Sequence, residues 1–234
     1  MMAILVIPVI LLISLLSPRE TQGSTNTPTQ SSAMETIKLP KPRQSSTVSV
    51  EEALLKRRSV REFGREALTI EEVAQLLWAA QGITEPARGL RTAPSAGALY
   101  PLEMYVVAGN VTGLAPGVYK YRPHRHDLVK VGNRDVRREL SRAALEQEFI
   151  RDAAIDLVFA AAIERTAVKY GTRSSRYVDI EIGHASENVC LQAVALRLAT
   201  VVVGAFYDED VKKVVGMDAR ESALYIMPVG RMPR

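Results

Sequence analysis

Cysteine and histidine are scarce in this sequence, and their scarcity excludes several kinds of site. The 234 residues contain one cysteine, Cys190, so no disulfide can form within the chain. The three histidines are His124, His126 and His184, and no cysteine pair or spaced carboxylate pair accompanies them. Because a metal site needs further ligands close by, we expect no metal centre in this protein.

The sequence also lacks an internal repeat and a long block of like charges. Lys and Arg number 30 against 26 Asp and Glu, and the two signs are interspersed. The net charge of +4 therefore predicts a mixed, solvated surface, and without a recognition motif we expect no binding to nucleic acid. The composition, 47% hydrophobic and 24% charged, is that of an ordinary globular protein.

Residues 1–20 form an apolar N-terminal segment that no charged residue interrupts before Arg19. The run is slightly short for a membrane-spanning helix, and it lacks the basic start of a secretory signal. It is consistent with an uncleaved anchor, a cleaved signal, or a translation start placed too early. We expect the protein to be membrane-associated through this segment or secreted, with the side of the membrane left open.

The composition changes after this segment and again near residue 48. Residues 21–47 are rich in Ser, Thr, Gln and Pro and have almost no large apolar residue, which predicts a flexible tether. The folded domain is then expected to cover residues 48–234.

Helices and strands are mixed along this domain. Two capping-box patterns, Ser49 to Glu52 and Thr69 to Glu72, predict helices that end near residues 58 and 82. Further helices are predicted at 133–145, 175–198 and 208–216, and strands at 104–109, 118–123, 127–132, 155–163, 199–206 and 224–230. Because several strands form hairpins and the longest helix comes late, the pattern indicates an α+β fold with helices packed on a central sheet.

Two segments carry residues suited to binding a ligand. Residues 56–61, KRRSVR, combine arginines, whose forked donors suit phosphate, with a serine hydroxyl. Such a run is also typical of a solvated helix end. Residues 91–101, RTAPSAGALYP, predict a tight loop whose small residues allow the backbone to approach a planar ligand, or a plain turn.

Together, RRSVREF at 57–63 and PSAGALYPLEMYVV at 94–107 resemble the nitroreductase superfamily. The PSAGALYP form is similar to its SagB-type dehydrogenase branch, which includes the azoline oxidases. The resemblance extends from about residue 48 to residue 231. It implies a nitroreductase-like fold, with a central, mostly antiparallel sheet flanked by helices, and a homodimer that binds FMN at its interface.

The resemblance also implies roles for individual residues. Those expected to bind the flavin are Arg57, Arg58, Ser59, Arg61, Pro94, Ser95, Ala96, Gly97, Gly204, Ala205 and Arg231. The segment 57–61 would hold the phosphate and ribityl chain, with help from Arg231. The loop 94–97 would border the flavin, often from the partner subunit, and 204–205 would offer an N–H to flavin N5. Ala98 stands where many nitroreductases have Asn, which leaves that contact open.

Lys169 and Tyr170 match a Lys-Tyr pair that azoline oxidases share ahead of the long helix. Removing hydride from carbon requires a group that takes or returns a proton, and either side chain can do so. A surface lysine beside a packing tyrosine is the alternative.

The predicted function is an FMN-dependent oxidoreductase that takes hydride from a small organic or peptide-like substrate through flavin N5. Two alternatives stay open. One is a reductase of nitro compounds or quinones that uses NAD(P)H as electron donor. The other is a membrane-tethered binding protein that has kept the fold without redox activity.

Overall fold

The computed structural model describes residues 35–234, so the predicted apolar segment 1–20 lies outside the described residues. The helices of this range are α1 (Val50–Lys56), α2 (Ile70–Gln81), α3 (Arg137–Ala143), α4 (Glu148–Asp152), α5 (Ile163–Tyr170), α6 (Ser174–Ala195) and α7 (Asp208–Val215). The strands are β1 (Thr36–Lys38), β2 (Leu68–Thr69), β3 (Ile83–Glu85), β4 (Leu90–Arg91), β5 (Leu102–Ala108), β6 (Val111–Thr112), β7 (Gly117–Arg122), β8 (Asp127–Gly132), β9 (Ile155–Ala161), β10 (Leu198–Thr200) and β11 (Ser222–Arg231). Short 3-10 turns cover 96–98 and 171–173. No helix in this range is long and apolar enough to cross a membrane.

Seven strands form the central sheet, in the order β1-β8-β7-β5-β9-β11-β10. Each strand runs antiparallel to its neighbours in this sheet. β7 and β8 form the predicted hairpin, with Tyr121 opposite Leu128. Two short sheets add the parallel pair β2-β6 and the antiparallel pair β3-β4. The predicted α+β class and the mostly antiparallel central sheet are confirmed.

Helices cover both faces of the central strands, which explains why β9 is apolar at every position except Asp156. All seven of its residues are buried. Because successive side chains of a strand alternate between faces, Leu157 and Phe159 pack into one core with α2 and α6. Val158 and Ala160 pack into the other core with α3 and α7.

The first two helices begin at the predicted caps. The Thr69 hydroxyl accepts a hydrogen bond from the backbone N–H of Glu72, and the Glu72 carboxylate accepts one from the N–H of Thr69. The Ser49 hydroxyl accepts in the same way from the N–H of Glu52 at 3.1 Å. Each cap contributes about 1 kcal/mol to its helix. These caps fix the starts of α1 and α2, which lie on either side of the basic segment 57–61.

The folded domain begins earlier than the composition predicts. Residues 36–38, within the segment expected to be a tether, form β1 and pair with β8. Leu39 follows them and is 4% exposed. A short edge strand is held mainly by backbone hydrogen bonds, so it needs few apolar side chains and leaves little trace in the composition.

Two further boundaries differ from the prediction. α3 begins at Arg137 because Asp135, rather than Asn133, accepts a hydrogen bond from the Arg137 N–H. β10 ends at Thr200, so the strand predicted over 199–206 is mostly irregular. Val203 returns to β11 only through an isolated bridge.

Candidate functional site

The basic segment after α1 lies against the end of β10. Its backbone leaves the helix at Arg57, and the N–H of Val60 donates to the carbonyl of Thr200 at 3.0 Å. From Thr200 the chain continues to Gly204 and Ala205. The structure therefore places the predicted phosphate-binding segment beside the stretch that leads to the predicted flavin N5 contact.

Arg58 and Ser59 are exposed in this segment. The guanidinium of Arg58 donates to the carbonyl oxygens of Leu55 at 3.0 Å and Arg57 at 2.7 Å. These acceptors belong to the end of a helix, where carbonyl groups lack helical partners. Neither contact neutralises the positive charge, so Arg58 can still bind an anion.

Arg57 and Arg61 also keep most of their charge available. The Nε of Arg57 lies 3.9 Å from a carboxylate oxygen of Glu187 on α6, a long contact between side chains that are both more than one third exposed. Such pairs contribute little. The guanidinium of Arg61 lies 5.8 Å from the centre of the Phe149 ring. The cluster is thus a group of weakly paired arginines, which suits a phosphate ligand.

Gly204 and Ala205 present their backbone to solvent. Both residues are exposed, and their N–H groups donate to no other group among residues 35–234. The carbonyl of Val203, which belongs to the same peptide group as the Gly204 N–H, accepts from the N–H of Ile226 at 3.0 Å, which fixes the orientation of that peptide. A fixed, unpaired N–H is what the predicted contact with a flavin requires.

The loop 94–101 has an unusual backbone. Gly97, Ala98 and Tyr100 have φ values of 63°, 54° and 48°, in the left-handed region. This conformation costs about 1 kcal/mol or more for a residue with a Cβ. Two hydrogen bonds hold it: the Ser95 hydroxyl accepts from the Tyr100 N–H at 2.9 Å, and the Ser95 carbonyl accepts from the Ala98 N–H at 3.0 Å. Because such strain is concentrated at ligand sites, the geometry favours a binding loop over a plain turn.

Lys169 and Tyr170 lie directly against this loop. A Cβ added to Gly97 would lie 2.9 Å from the Tyr170 hydroxyl and 3.0 Å from the Lys169 Nζ. Tyr170 is half-buried and packs edge-on against Tyr177, with ring centres 4.8 Å apart, whereas Lys169 is exposed. The structure therefore brings the predicted flavin-bordering loop and the predicted proton-transfer pair together, and the absence of a Cβ at Gly97 leaves the close approach between them unobstructed.

One carboxyl group beside the loop is absent from the predicted site. Glu181 on α6 is 2% exposed, and its Oε1 has no hydrogen-bond partner among the described residues. Burial raises the pKa of Glu181 to about 7, against the lowering effects of a hydrogen bond from Ser95 and of the charges on Arg91 and Arg165. The loop thus contacts a buried acid that changes protonation near neutral pH.

The sequence contains a signal for the burial of Glu181. Val178, Ile182, Ala185 and Val189 recur at helical spacing and form the buried face of α6. Glu181 follows Val178 by three residues and therefore belongs to the same face. Its contact with Ser95 depends on tertiary packing, for which the helical pattern gives no signal.

Arg231 has other partners than the predicted phosphate. Its guanidinium forms a two-pronged ion pair with the Glu72 carboxylate, at 2.5 and 2.9 Å, and donates to the carbonyl of Ala67. All three guanidinium nitrogens are engaged, and both side chains of the ion pair are mostly buried. The geometry gives Arg231 a structural role, joining the last strand to the start of α2, and does not support the phosphate contact that was expected.

α6 contacts both groups of predicted site residues. Glu181 contacts the loop by its hydrogen bond with Ser95, and Glu187 contacts the basic segment by its ion pair with Arg57. Six residues of α-helix separate these positions by about 9 Å along the axis. One helix therefore sets the spacing between the loop and the basic segment within the chain.

Comparison with known protein families gives one match over most of the chain. The model of the nitroreductase family matches residues 54–231. This span includes every residue predicted to bind the flavin and the pair Lys169 and Tyr170.

Individual proteins show the same likeness. A protein of Methanocaldococcus jannaschii, provisionally named a nitroreductase, is 48% identical over 184 residues, which are 79% of this chain and 91% of that protein. The crystal structure of a provisionally named nitroreductase from Ralstonia eutropha is similar with a TM-score of 0.74 at 28% identity, over 85% of this chain and 90% of that chain. The Escherichia coli microcin synthetase complex, solved with truncated pro-MccB17 bound, contains a chain with a TM-score of 0.66 at 25% identity, over 84% of this chain and 78% of that chain.

Proposed function

Because the chain belongs to the nitroreductase family, whose members are flavin oxidoreductases, we propose that it is an FMN-dependent oxidoreductase of the SagB type. Its proposed substrate is a small organic or peptide-like molecule that gives up hydride. The observation that carries the proposal is the contact of Lys169 and Tyr170 with the strained loop at Gly97. The likeness to a microcin synthetase solved with a truncated pro-peptide supports a peptide-like substrate.

The residues present fit the phosphate and the ring of a flavin. The guanidinium groups of Arg57, Arg58 and Arg61 have no close carboxylate partner among the described residues. The N–H groups of Gly204 and Ala205 are unpaired within the described residues, and the hydrogen bond from Ile226 to the Val203 carbonyl orients the Gly204 N–H. When bound, FMN supplies the two-electron redox chemistry. The protein binds it, orients it and handles protons.

Lys169 and Tyr170 are proposed to move the proton. An acid–base group must lie within hydrogen-bonding reach of the atom it serves. The Lys169 Nζ and the Tyr170 hydroxyl both lie about 3 Å from the position that a Gly97 Cβ would take, so both groups border the loop at which the substrate is proposed to bind. The edge-on contact with Tyr177 fixes the Tyr170 ring, whereas Lys169 is exposed to solvent.

The first test is an absorbance spectrum of the full chain, purified without added cofactor, followed by release of any chromophore on heating. We expect flavin bands at about 370 and 450 nm and free FMN after heating. A colourless protein that also takes up no added FMN would contradict the proposal. That result would favour the alternative of a binding protein without redox activity.

A reductase that uses NAD(P)H is the second candidate. It is favoured by the 48% identity to the Methanocaldococcus protein, whose provisional name is nitroreductase. Anaerobic addition of NADH or NADPH distinguishes the two. Rapid bleaching of the flavin, followed by recovery with a quinone, would support the reductase, whereas no bleaching would support the dehydrogenase.

We propose that the protein is a homodimer. Val50, Leu54 and Leu55 of α1 are 64%, 55% and 73% exposed in the single chain, which is unusual for three apolar residues on one short helix. Sedimentation of residues 35–234 should give the mass of two chains, and Leu55→Asp should give the mass of one.

We also propose that residues 1–20 attach the protein to a membrane, which fractionation of cells with and without this segment would test.

A further inference from the structure

A cavity lies between the end of α2, β4 and the β7–β8 hairpin. Its volume is about 370 Å³. The residues that line it are Gln81, Arg91, Leu102, Glu103, Met104, Lys120, Tyr121, Arg122, Pro123, His124, Arg125 and Arg165. None of the residues proposed to hold the flavin or to move the proton is among them.

Three of the five cations in this cavity are already neutralised. Glu103, the one carboxylate in the lining, pairs with Arg165 at 2.7 Å. Lys120 pairs with Glu221, behind the lining, at 2.5 Å and more loosely with Glu103 at 3.2 Å. Asp127 pairs with Arg122 through two hydrogen bonds of 2.7 and 2.8 Å. These pairs leave the two remaining arginines as the source of the positive charge.

Arg91 and Arg125 have no carboxylate within ion-pair distance among residues 35–234. One terminal nitrogen of Arg91 donates to the Gln81 side-chain carbonyl at 2.8 Å, and its guanidinium lies 4.5 Å from the centre of the Tyr100 ring. The Nε of Arg91 is buried and has no partner in the described chain. Arg125 lies in the turn between β7 and β8.

Gln81 presents an unused donor in the same place. The residue is 1% exposed, and its Nε2 has no hydrogen-bond partner among the described residues. Because Arg91 can only donate, the Gln81 oxygen must face Arg91 and the amide nitrogen must point elsewhere. A buried donor without an acceptor costs about 1–3 kcal/mol, so an acceptor supplied by a ligand would remove this cost.

We propose that this cavity is a second ligand site, separate from the flavin site, which binds the carboxylate of an organic acid or of a peptide. The Arg91 and Arg125 side chains line the cavity, and their guanidinium groups would bind the two oxygens of a planar carboxylate. The apolar wall of Leu102, Met104 and Tyr121 would contact the carbon chain of the ligand. Inorganic phosphate would leave that wall without a contact.

The test is isothermal titration of the full chain with glutarate, with the uncharged glutaramide and with inorganic phosphate as comparisons. We expect saturable binding of glutarate, no binding of glutaramide and weaker binding of phosphate. Gln81→Glu should weaken glutarate binding by about tenfold or more, because the new carboxylate pairs with Arg91 in the ligand's place. The same pairing should raise the melting temperature, which shows that the variant is folded.

Arg125→Gln should weaken glutarate binding several-fold without affecting folding, since Arg125 has no partner to lose in the described chain. Arg88→Gln is the matched control, because Arg88 is an exposed arginine outside the cavity that forms only a long surface pair. Its affinity for glutarate should equal that of the wild type. Unchanged binding in Gln81→Glu, or phosphate binding as tight as that of glutarate, would overturn the proposal.

The flavin content of each sample separates this proposal from the proposed function. Glutarate binding by a protein without FMN would contradict the flavin assignment and leave the second site intact. A flavin-loaded protein that does not bind glutarate would contradict the second site alone.

Discussion

Replacing Glu181 by Gln should remove a large part of the pH dependence of folding stability. Glu181 is 2% exposed, and Ser95, Arg91 and Arg165 are the groups that interact with its carboxyl. Burial outweighs these interactions and raises its pKa from 4.5 to about 7. Gln has nearly the same shape as the protonated acid and cannot ionise, so the variant isolates the effect of the charge.

The direction of the effect follows from the direction of the shift. The folded protein binds this proton more tightly than the unfolded chain does, because the folded-state pKa of Glu181 is about 7 against 4.5. The resulting stability is fully present below pH 4.5 and is lost as the pH rises through 7. At about 1.4 kcal/mol per pKa unit, the whole loss is about 3 kcal/mol, most of it at pH values between about 5 and 8.

The assay is denaturant unfolding at pH 5 and pH 8 for wild type, Glu181→Gln and the control Asp179→Asn. The free energy of unfolding of the wild type should fall between the two pH values by about 2–3 kcal/mol more than that of Glu181→Gln. Asp179 is exposed on the same helix, so its variant should behave like the wild type. Equal pH dependence in wild type and Glu181→Gln would refute the view that Glu181 is a buried acid with a raised pKa.

Three further substitutions test the site. Gly97→Ala should lower FMN content, because the alanine would have to adopt φ 63° and its Cβ would lie 2.9 Å from the Tyr170 hydroxyl. Gly216→Ala, at φ 72° in the same left-handed region with open space around it, should cost only the backbone strain of about 1 kcal/mol and retain the flavin. Equal flavin loss in both variants would contradict the argument that the Gly97 contact matters. Arg231→Gln should cost about 2 kcal/mol in denaturant unfolding, through loss of its mostly buried ion pair, while FMN titration shows unchanged affinity. Weaker FMN binding by this variant would support the original prediction that Arg231 binds the flavin phosphate. Lys169→Met should lower turnover by about a hundredfold with the flavin spectrum unchanged, and normal turnover would make Lys169 a surface lysine.

The elements that local sequence controls could be predicted. The caps at Ser49 and Thr69 each require only residues within one helical turn, and both form as expected. The buried strand Ile155–Ala161 follows from a run that is apolar at every position except Asp156. β1 could not be found in this way, because backbone pairing with β8 fixes it and backbone pairing leaves no pattern in the side chains.

The contacts between distant parts of the chain could not be predicted from pattern alone. Arg231 and Glu72 are 159 residues apart, and nothing near either residue indicates that they pair. The likeness to a family could suggest that Arg231 binds a phosphate, but it could not show that the Arg231 guanidinium already forms an ion pair with the Glu72 carboxylate. Glu181 shows the complementary limit, since its burial follows from helical spacing but its position beside Ser95 requires the packed structure.

The position of Glu181 beside Ser95 depends on α6, the 22-residue helix that contacts both the loop and the basic segment of the candidate site. Glu181 and Glu187 on this helix lie at the loop and at the basic segment, which are far apart in sequence. Their spacing is set by the rise of one helix, about 9 Å for six residues, and does not depend on the loops themselves. A substitution that moves α6, such as enlargement of the fully buried Ala185, should therefore disturb both halves together. A substitution within the loop 94–101 should disturb the positions of Lys169 and Tyr170 and leave the basic segment 57–61 in place.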